Sequence, residues 1–173
     1  KNLYRLYSDR SWLYFRRLDF DQPQNTFCRT LNMTPFVLDS RLEADTFKAG
    51  ESALNLLLLM NDSRYPWCIL VPKQAGLREI YELSTRDQST LLTESSLLAK
   101  TLMTTFAQEK MNIGALGNVV SQLHVHHVGR HQNDPAWPGP VWGHSQATPY
   151  SSDNLKKNLQ TLSQSALTEC FTF

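Results

Sequence analysis

Residues 122–128 (Gln-Leu-His-Val-His-His-Val) constrain the fold most strongly, because aliphatic and polar side chains alternate along them. This alternation, with its β-branched valines, is typical of a β-strand. Successive side chains of a strand point to opposite faces, so Gln122, His124 and His126 are predicted to share one face. Two imidazoles and a carboxamide in a row form a polar stripe, which a polar ligand would explain. Phosphate is the natural candidate, because imidazole can donate a hydrogen bond to it, accept one from it, or attack its phosphorus.

Three further segments carry motifs that extend this pattern. Residues 112–120 (Asn-Ile-Gly-Ala-Leu-Gly-Asn-Val-Val) precede the stripe, and Trp137-Pro-Gly follows it. Upstream, residues 61–73 begin with Asn-Asp and end in Cys-Ile-Leu-Val-Pro-Lys. Together these segments resemble the histidine triad superfamily, whose signature is His, apolar, His, apolar, His and two apolar residues. The resemblance covers residues 36–150.

The sequence departs from that signature at informative positions. Gln122 stands where the first histidine belongs, and His127 occupies a position that is usually aliphatic. Trp67 falls where many members carry an auxiliary histidine. Gln122 together with residues 134–143 resembles a bacterial branch that is often described as diadenosine-polyphosphate-hydrolase-like.

The resemblance implies an α+β fold, with an antiparallel sheet of about five strands and one long helix packed on it. We expect a HIT-like domain at residues 30–150 and a C-terminal helix, within residues 151–173, that packs on this domain. Residues 1–29 lie outside the resemblance and are predicted to be an N-terminal appendage. Because members commonly dimerise through their sheets, and an exposed edge strand needs covering, a homodimer is the expected assembly.

The resemblance also implies a chemistry. His124 is the expected nucleophile, which attacks the α-phosphorus of a nucleotide conjugate and forms a covalent nucleotidyl-imidazole. A backbone carbonyl is expected to fix its tautomer. His126 would hydrogen-bond a phosphate oxygen, and Gln122 can orient or donate but cannot transfer a proton. The expected phosphate-binding residues are Asn112, Gly117 and Asn118.

The implied substrates resemble diadenosine polyphosphates or other nucleoside-monophosphate conjugates, and the reaction is hydrolysis or transfer. No protein-bound cofactor is expected, although a divalent metal bound to the substrate phosphates is compatible with this chemistry. The expected partner is therefore a small-molecule nucleotide.

Hydrophobic patterning predicts the remaining strands. Residues 36–46 are predicted to start the sheet, and residues 48–51 to form a turn. Two apolar runs, at 52–60 and 67–71, are joined by turn residues that include Asp62 and so predict an antiparallel hairpin. Residues 113–120 are predicted to form the strand before the histidine stripe.

Helical spacing predicts two helices. One is capped by Ser84 or Thr85 and ends near Lys110, with an apolar face formed by Leu91, Leu98, Leu102 and Phe106. The other covers residues 153–167 and is capped by Ser151 or Ser152. A short helix or turn is expected at residues 76–83, and a rigid loop with aromatic anchors at residues 129–143.

Composition excludes several classes of function. A net charge of +1 argues against a large nucleic-acid interface. The three cysteines form no CxxC pair, so we predict neither a zinc knuckle nor a disulfide framework. The longest apolar runs are too short to span a bilayer, and the start of the sequence lacks the pattern of a secretory signal. We therefore expect a reduced, cytoplasmic protein.

Other residues receive simpler predictions. His127 points to the face opposite His124 and is expected to be structural. Arg130 and Lys73 are expected to be solvated charges. Surface positions are the expectation for His131 and His144.

Three alternatives remain open. The chain could be a nucleotide-binding module whose catalysis is weakened by the loss of two family histidines. His124 and His126 could instead bind zinc, which would require a third ligand from elsewhere in the chain. The alternating basic and aromatic residues within 1–29 could stack on nucleic acid, although docking of the aromatic side chains on the domain is the favoured interpretation.

Overall fold

The computed structural model describes residues 35–173, and its centre is an antiparallel sheet. The strands are β1 (Thr46–Glu51), β2 (Asn55–Met60), β3 (Trp67–Pro72), β4 (Lys110–Gly114) and β5 (Val125–Arg130). Their order across the sheet is β1-β2-β3-β5-β4, and every neighbouring pair is antiparallel. The α+β, five-stranded architecture predicted from the sequence is confirmed. Residues 1–29 lie outside the described part of the chain, and the predicted domain limits at residues 30 and 150 stay predictions.

Three α-helices accompany the sheet. They are α1 (Ser40–Asp45), α2 (Thr85–Thr105) and α3 (Ser152–Ser163), and short 3-10 turns form at Ile80–Glu82 and Ala166–Glu169. The hydroxyl of Ser84 accepts a hydrogen bond from the backbone N–H of Asp87, which caps α2 as predicted. Ser151 caps α3 in the same way. Among residues 35–173, no helix is both long and apolar enough to cross a bilayer.

The predicted hairpin of β2 and β3 is confirmed, and it lies in the middle of the sheet. Leu57 pairs with Leu70, and both side chains are fully buried. Both strands are covered on both faces, which explains why their sequences are nearly continuous apolar runs rather than alternating ones.

The start of the sheet was predicted wrongly. Residues 40–45 form α1 instead of a strand, because the side chain of Asp39 accepts a hydrogen bond from the N–H of Arg41 and caps the helix. The predicted turn at 48–51 is part of β1. Gly50 is needed there for space, since a Cβ atom would lie 2.6 Å from the carbonyl oxygen of Thr172. The glycine therefore indicates a close approach by the end of the chain.

The strands around the histidine stripe are also displaced from their predicted positions. β4 begins at Lys110 and ends at Gly114, and the segment predicted to continue it forms a loop in which Gly117 has φ +69°. β5 begins at Val125, three residues later than expected. Left-handed backbone at Gly117 is compatible with a turn and not with a continued strand.

The two faces of the sheet are covered differently. One face packs against α2, α3 and the C-terminal turn, with Leu98, Leu102 and Leu162 fully buried. In the described part of the chain, the other face carries Ile69 and Val128 and is covered by α1, the segment before it, and loops that contain Val120, Ala136 and Val141. This thinner second cover leaves room for a cavity.

Candidate functional site

The second face of the sheet contains a cavity of about 470 Å³ above β3 and β5. Its size falls within the range of small-molecule sites. Its apolar walls come from both the sheet and the covering segments: Leu42, Met60, Ile69, Val120, Val141 and Trp142. His124 and His126 also line it, as predicted. The prediction that these two rings lie together is confirmed by their centroid separation of 4.8 Å.

His124 presents one ring nitrogen to a backbone carbonyl. Its Nδ1 lies 2.7 Å from the carbonyl oxygen of Gln122. A carbonyl oxygen can only accept, so Nδ1 carries the proton, and the Nε2 of the neutral ring keeps its lone pair. The predicted tautomer-fixing carbonyl is therefore present, and the nitrogen left for a ligand is the nucleophilic one.

His126 has the opposite tautomer. The indole Nε1–H of Trp67 donates to its Nδ1 at 3.0 Å, and indole can only donate. The neutral ring must therefore carry its proton on Nε2. Burial, with smaller contributions from His124 and His127, lowers the pKa of His126 to about 3. His126 is thus a neutral hydrogen-bond donor at physiological pH.

The sheet geometry explains this contact. Ile69 pairs with His126 and Trp67 pairs with Val128, so Trp67 is the diagonal neighbour of His126 on the same face. The two rings meet edge to face with centroids 5.5 Å apart. Trp142 from the covering loop approaches His126 from another side, at 5.8 Å.

His127 lies on the opposite face, as predicted. Its Nδ1–H donates to the carbonyl of Val125 at 3.1 Å, and its Nε2 lies 2.7 Å from the hydroxyl of Ser95 on α2. Burial lowers the pKa of His127 to about 4, and its side chain is fully enclosed. The ring therefore connects the sheet to α2 and does not reach the cavity.

Gln122 contacts other groups than those predicted. Its amide nitrogen donates to the carbonyl of Val37 at 2.9 Å, and its amide oxygen accepts from the N–H of Asp39 at 2.9 Å. Gln122 is absent from the lining of the large cavity, because both ends of its amide are bonded to the segment before α1. The side chain secures that segment, and the predicted catalytic role of Gln122 stays a prediction.

The predicted phosphate-binding residues separate into two groups. Gly117 and Asn118 lie on the cavity wall beside His124, where the positive φ of Gly117 brings the backbone close. Asn112 lies away from the cavity, and its Oδ1 accepts from Nη1 of Arg130 at 2.6 Å. Asn112 pairs with Val128, and its amide oxygen is used by Arg130, so its role at the phosphate stays a prediction.

Arg130 is buried and not solvated, which corrects the prediction. Its guanidinium forms a two-point ion pair with Asp134, at 2.7 Å and 3.0 Å, and also donates to the carbonyl of Gly139. Only 1% of Arg130 is exposed. Burial would raise the pKa of Asp134, but hydrogen bonds from Arg130 and from backbone N–H groups hold it below its usual value. This network fixes the loop that carries Trp142.

Two cavity residues were missed by the sequence analysis. Asp62 was interpreted as a turn residue, with contact to a sugar as the less favoured alternative, and it both forms that turn and lines the cavity. Burial would raise the pKa of Asp62, but hydrogen bonds from Arg64 and from the N–H of Thr148 hold it low. Trp142 lies in the proline- and glycine-rich loop, where the sequence indicates an aromatic anchor without showing what it contacts. Within residues 35–173, no group of three or more His, Cys, Asp or Glu side chains is arranged to hold a metal ion.

Comparison with known proteins identifies relatives of this chain. A family model described as "HIT domain" matches residues 41–133. Among solved structures, a histidine triad protein from Marinobacter aquaeolei VT8 is 51% identical, covers 79% of this chain and 98% of its own, and has a TM-score of 0.76.

Two further solved structures are similar over most of their length. A histidine triad (HIT) protein from Sinorhizobium meliloti 1021 is 44% identical, covers 80% of this chain and 98% of its own, with a TM-score of 0.73. A histidine triad protein from Bradyrhizobium japonicum is 37% identical, covers 76% of this chain and 98% of its own, and has a TM-score of 0.74. No curated protein matches this chain significantly.

Proposed function

The chain belongs to the histidine triad (HIT) domain family, whose members are generally nucleotide hydrolases or transferases, and from this premise we propose that it hydrolyses nucleotide conjugates. The substrates are phosphoanhydrides or phosphoramidates that resemble diadenosine polyphosphates, as in the bacterial branch described by that activity. The reaction passes through a covalent nucleotidyl-histidine.

The contact between His124 and the Gln122 carbonyl is the observation that carries this proposal. The Gln122 carbonyl oxygen lies 2.7 Å from Nδ1 of His124 and so fixes the proton on that nitrogen. The lone pair on Nε2 of this cavity-lining residue is therefore free for a ligand. Nε2 attacks the α-phosphorus, an N–P bond forms, and the bond to the leaving group breaks. Water then attacks the same phosphorus, releases the nucleotide and restores the imidazole. His126 donates from Nε2 to a phosphoryl oxygen during both displacements.

The cavity suits a nucleotide in shape and chemistry. A nucleobase needs an apolar slot, which Leu42, Ile69 and Trp142 can supply. A phosphate needs hydrogen-bond donors and close backbone, which His126 and the turn at Gly117 can supply. The proposal includes no protein-bound metal, and a divalent ion would arrive with the polyphosphate.

The test compares the parent protein with His124→Ala and with His131→Ala, using diadenosine polyphosphates and adenosine phosphoramidates. His131 provides a matched control because it is a partly exposed histidine paired with Glu109, outside the cavity lining. We expect the parent and His131→Ala to turn over substrate, and mass spectrometry to detect a nucleotidyl adduct on His124. Equal turnover by the parent and His124→Ala would contradict the proposal.

The same assay tests the second candidate, a nucleotide-binding module with weakened catalysis. The observation that favours it is the use of Gln122 to hold backbone groups of residues 37 and 39, so that the first position of the signature has no part in the cavity. Tight nucleotide binding by the parent without any turnover would select this candidate.

A cytoplasmic homodimer is part of the proposal. β4 is an edge strand, and the exposed side chains of Ile80, Leu92 and Ile113 form an apolar patch beside it. Pairing of the β4 strands of two copies would cover both the strand edge and the apolar patch. Cys68 and Cys170 are free thiols, which fits a reducing compartment. Light scattering at micromolar concentration tests the dimer, and a strict monomer would count against it.

A further inference from the structure

The hydrogen bond between Trp67 and His126 is the most informative contact that the proposed reaction leaves unexplained. Both residues are buried, with 7% and 8% of their surface exposed. Within residues 35–173, the indole is the one hydrogen-bond partner of His126 Nδ1, and it determines which nitrogen of His126 carries the proton. Trp67 itself presents its indole N–H to His126 and not to the cavity.

We propose that Trp67 is a positioning residue that holds His126 as a fixed Nε2–H donor, and that the site therefore prefers conjugates whose leaving group departs as an anion. This inference rests on the proposed function, since it concerns the same site. It narrows the substrate class from nucleotide conjugates in general to phosphoanhydrides.

The bond changes show why the tautomer affects substrate choice. When Nε2 of His124 attacks an anhydride, the P–O bond breaks, its electron pair stays on the departing phosphate oxygen, and no proton is required. When the substrate is a phosphoramidate, the P–N bond breaks and the departing nitrogen must gain a proton. A neutral Nε2–H on His126 can hydrogen-bond that nitrogen but does not give up its proton at neutral pH.

Among residues 35–173, the side chains of Gln122, His124 and Asp62 do not supply this proton either. Both ends of the Gln122 amide are occupied by backbone groups. The Nδ1–H of His124 is held by a carbonyl, and the carboxylate of Asp62 is paired with Arg64 at 2.6 Å. The low pKa of His126, about 3, agrees with this assignment, because the ring does not take up a second proton at neutral pH.

The tautomer can be measured without substrate. Two-bond nitrogen–proton correlation spectra of the 15N-labelled protein should show a pyridine-type Nδ1 and a protonated Nε2 for His126. In Trp67→Phe, which keeps an aromatic ring and loses the donor, we expect the two nitrogens to average between the forms. A protonated Nδ1 in the parent, or an unchanged pattern in Trp67→Phe, would overturn the proposal.

Trp142→Phe is the matched control for this measurement. Trp142 also contacts the ring of His126, but its indole nitrogen has no hydrogen-bond partner within residues 35–173. The same chemical change next to the same histidine should therefore leave the tautomer of His126 as in the parent. If Trp142→Phe also caused the two nitrogens of His126 to average, the fixed tautomer would depend on ring packing, and the role of Trp67 would be overturned.

Kinetics test the substrate class. With diadenosine tetraphosphate we expect Trp67→Phe to lower kcat about tenfold with little change in KM, since a hydrogen bond that orients a transition-state donor is lost. In the parent, adenosine 5′-phosphoramidate should react at least about 100-fold more slowly, which is the contribution of a missing general acid. Equal rates for the two substrates would overturn the preference for anionic leaving groups.

The two measurements separate this inference from the proposed function. A fixed tautomer in a protein that turns over no nucleotide conjugate would disprove the proposed function and leave the positioning role of Trp67 intact. Turnover through His124 without a fixed tautomer would disprove the positioning role alone.

Discussion

His126 and His127 are consecutive residues of β5, yet they have different chemical roles because they lie on opposite faces of the sheet. Both rings are buried, and burial lowers both pKa values, to about 3 and about 4. Both have Nδ1 engaged, His126 as an acceptor from Trp67 and His127 as a donor to Val125. His126 lines a cavity, whereas the Nε2 of His127 meets the hydroxyl of Ser95. Residue type and burial therefore do not distinguish a ligand-binding histidine from a structural one, and the partner of the second nitrogen does.

The largest expected effect comes from replacing His126, the histidine that lines the cavity. His126→Ala removes the proposed donor to the phosphoryl oxygen, and we expect kcat to fall about 100- to 1000-fold. The unfolding free energy should change much less, because the ring borders a cavity. Steady-state kinetics and urea unfolding measure the two quantities on the same preparation. A kcat close to that of the parent would show that His126 does not contact the transition state.

The next largest effect comes from replacing His127, the histidine that contacts α2. His127→Ala leaves a hole between β5 and α2 and deprives Ser95 of its partner, so we expect the unfolding free energy to fall by about 3 kcal/mol. Urea unfolding measures this loss. The kcat of the folded protein should stay within a few-fold of the parent, and a loss as large as that of His126→Ala would contradict the separation of the two faces.

The pH dependence of stability sharpens the comparison. His127 has a folded-state pKa of about 4, below its ordinary value of 6.5, so its stabilisation is complete above pH 6.5 and is lost as the pH falls toward 4. The slope is about 1.4 kcal/mol per pH unit for one histidine. Phenylalanine cannot titrate, so between pH 6.5 and pH 4 the unfolding free energy of His127→Phe should fall less steeply than that of the parent. The expected difference in slope is about 1.4 kcal/mol per pH unit. Parallel curves from urea unfolding at several pH values would contradict it.

The smallest effect concerns the hydroxyl that completes the helix side. Ser95→Ala leaves the Nε2 of His127 without its partner at 2.7 Å, and we expect a loss of about 1 kcal/mol in unfolding free energy. The kcat should not change. A double-mutant cycle with His127→Ala checks the assignment, because a coupling energy near zero would mean that the two side chains do not interact.

Several elements could be predicted from the sequence because local signals identify them. The cap at Ser84 and the helical spacing of Leu91, Leu98 and Leu102 located the start and the buried face of α2 correctly. The helix ends at Thr105 and not near Lys110, where β4 begins. The apolar run that forms β3 was equally clear. For the site, the pairing of His124 with His126 was predicted, because alternation acts over a few residues. The turn at Gly117 was not, since residues 113–120 were predicted to form a strand.

Other elements could not be predicted because distant residues decide them. From the sequence alone, Gly50 indicates a turn. The structure shows instead that it makes room for the backbone of Thr172 near the end of the described chain. Gln122 contacts residues 83 and 85 positions away, and Arg130 is buried only because Asp134 and Gly139 fold back onto it. Such contacts have no periodicity along the chain, so hydrophobic patterning does not reveal them.

The amino-acid sequence by itself determined the two central strands and the presence of two neighbouring imidazoles, and its resemblance to the histidine triad family indicated the α+β class. The strands and the pair of imidazoles follow from side-chain spacing, which acts over a few residues. Only the tertiary structure decided how the two adjacent histidines of β5 differ, with His126 beside the cavity and His127 bonded to α2. That difference depends on single donors and acceptors, Trp67 from β3 and Ser95 from α2, which the fold brings within 3.0 Å of His126 and 2.7 Å of His127.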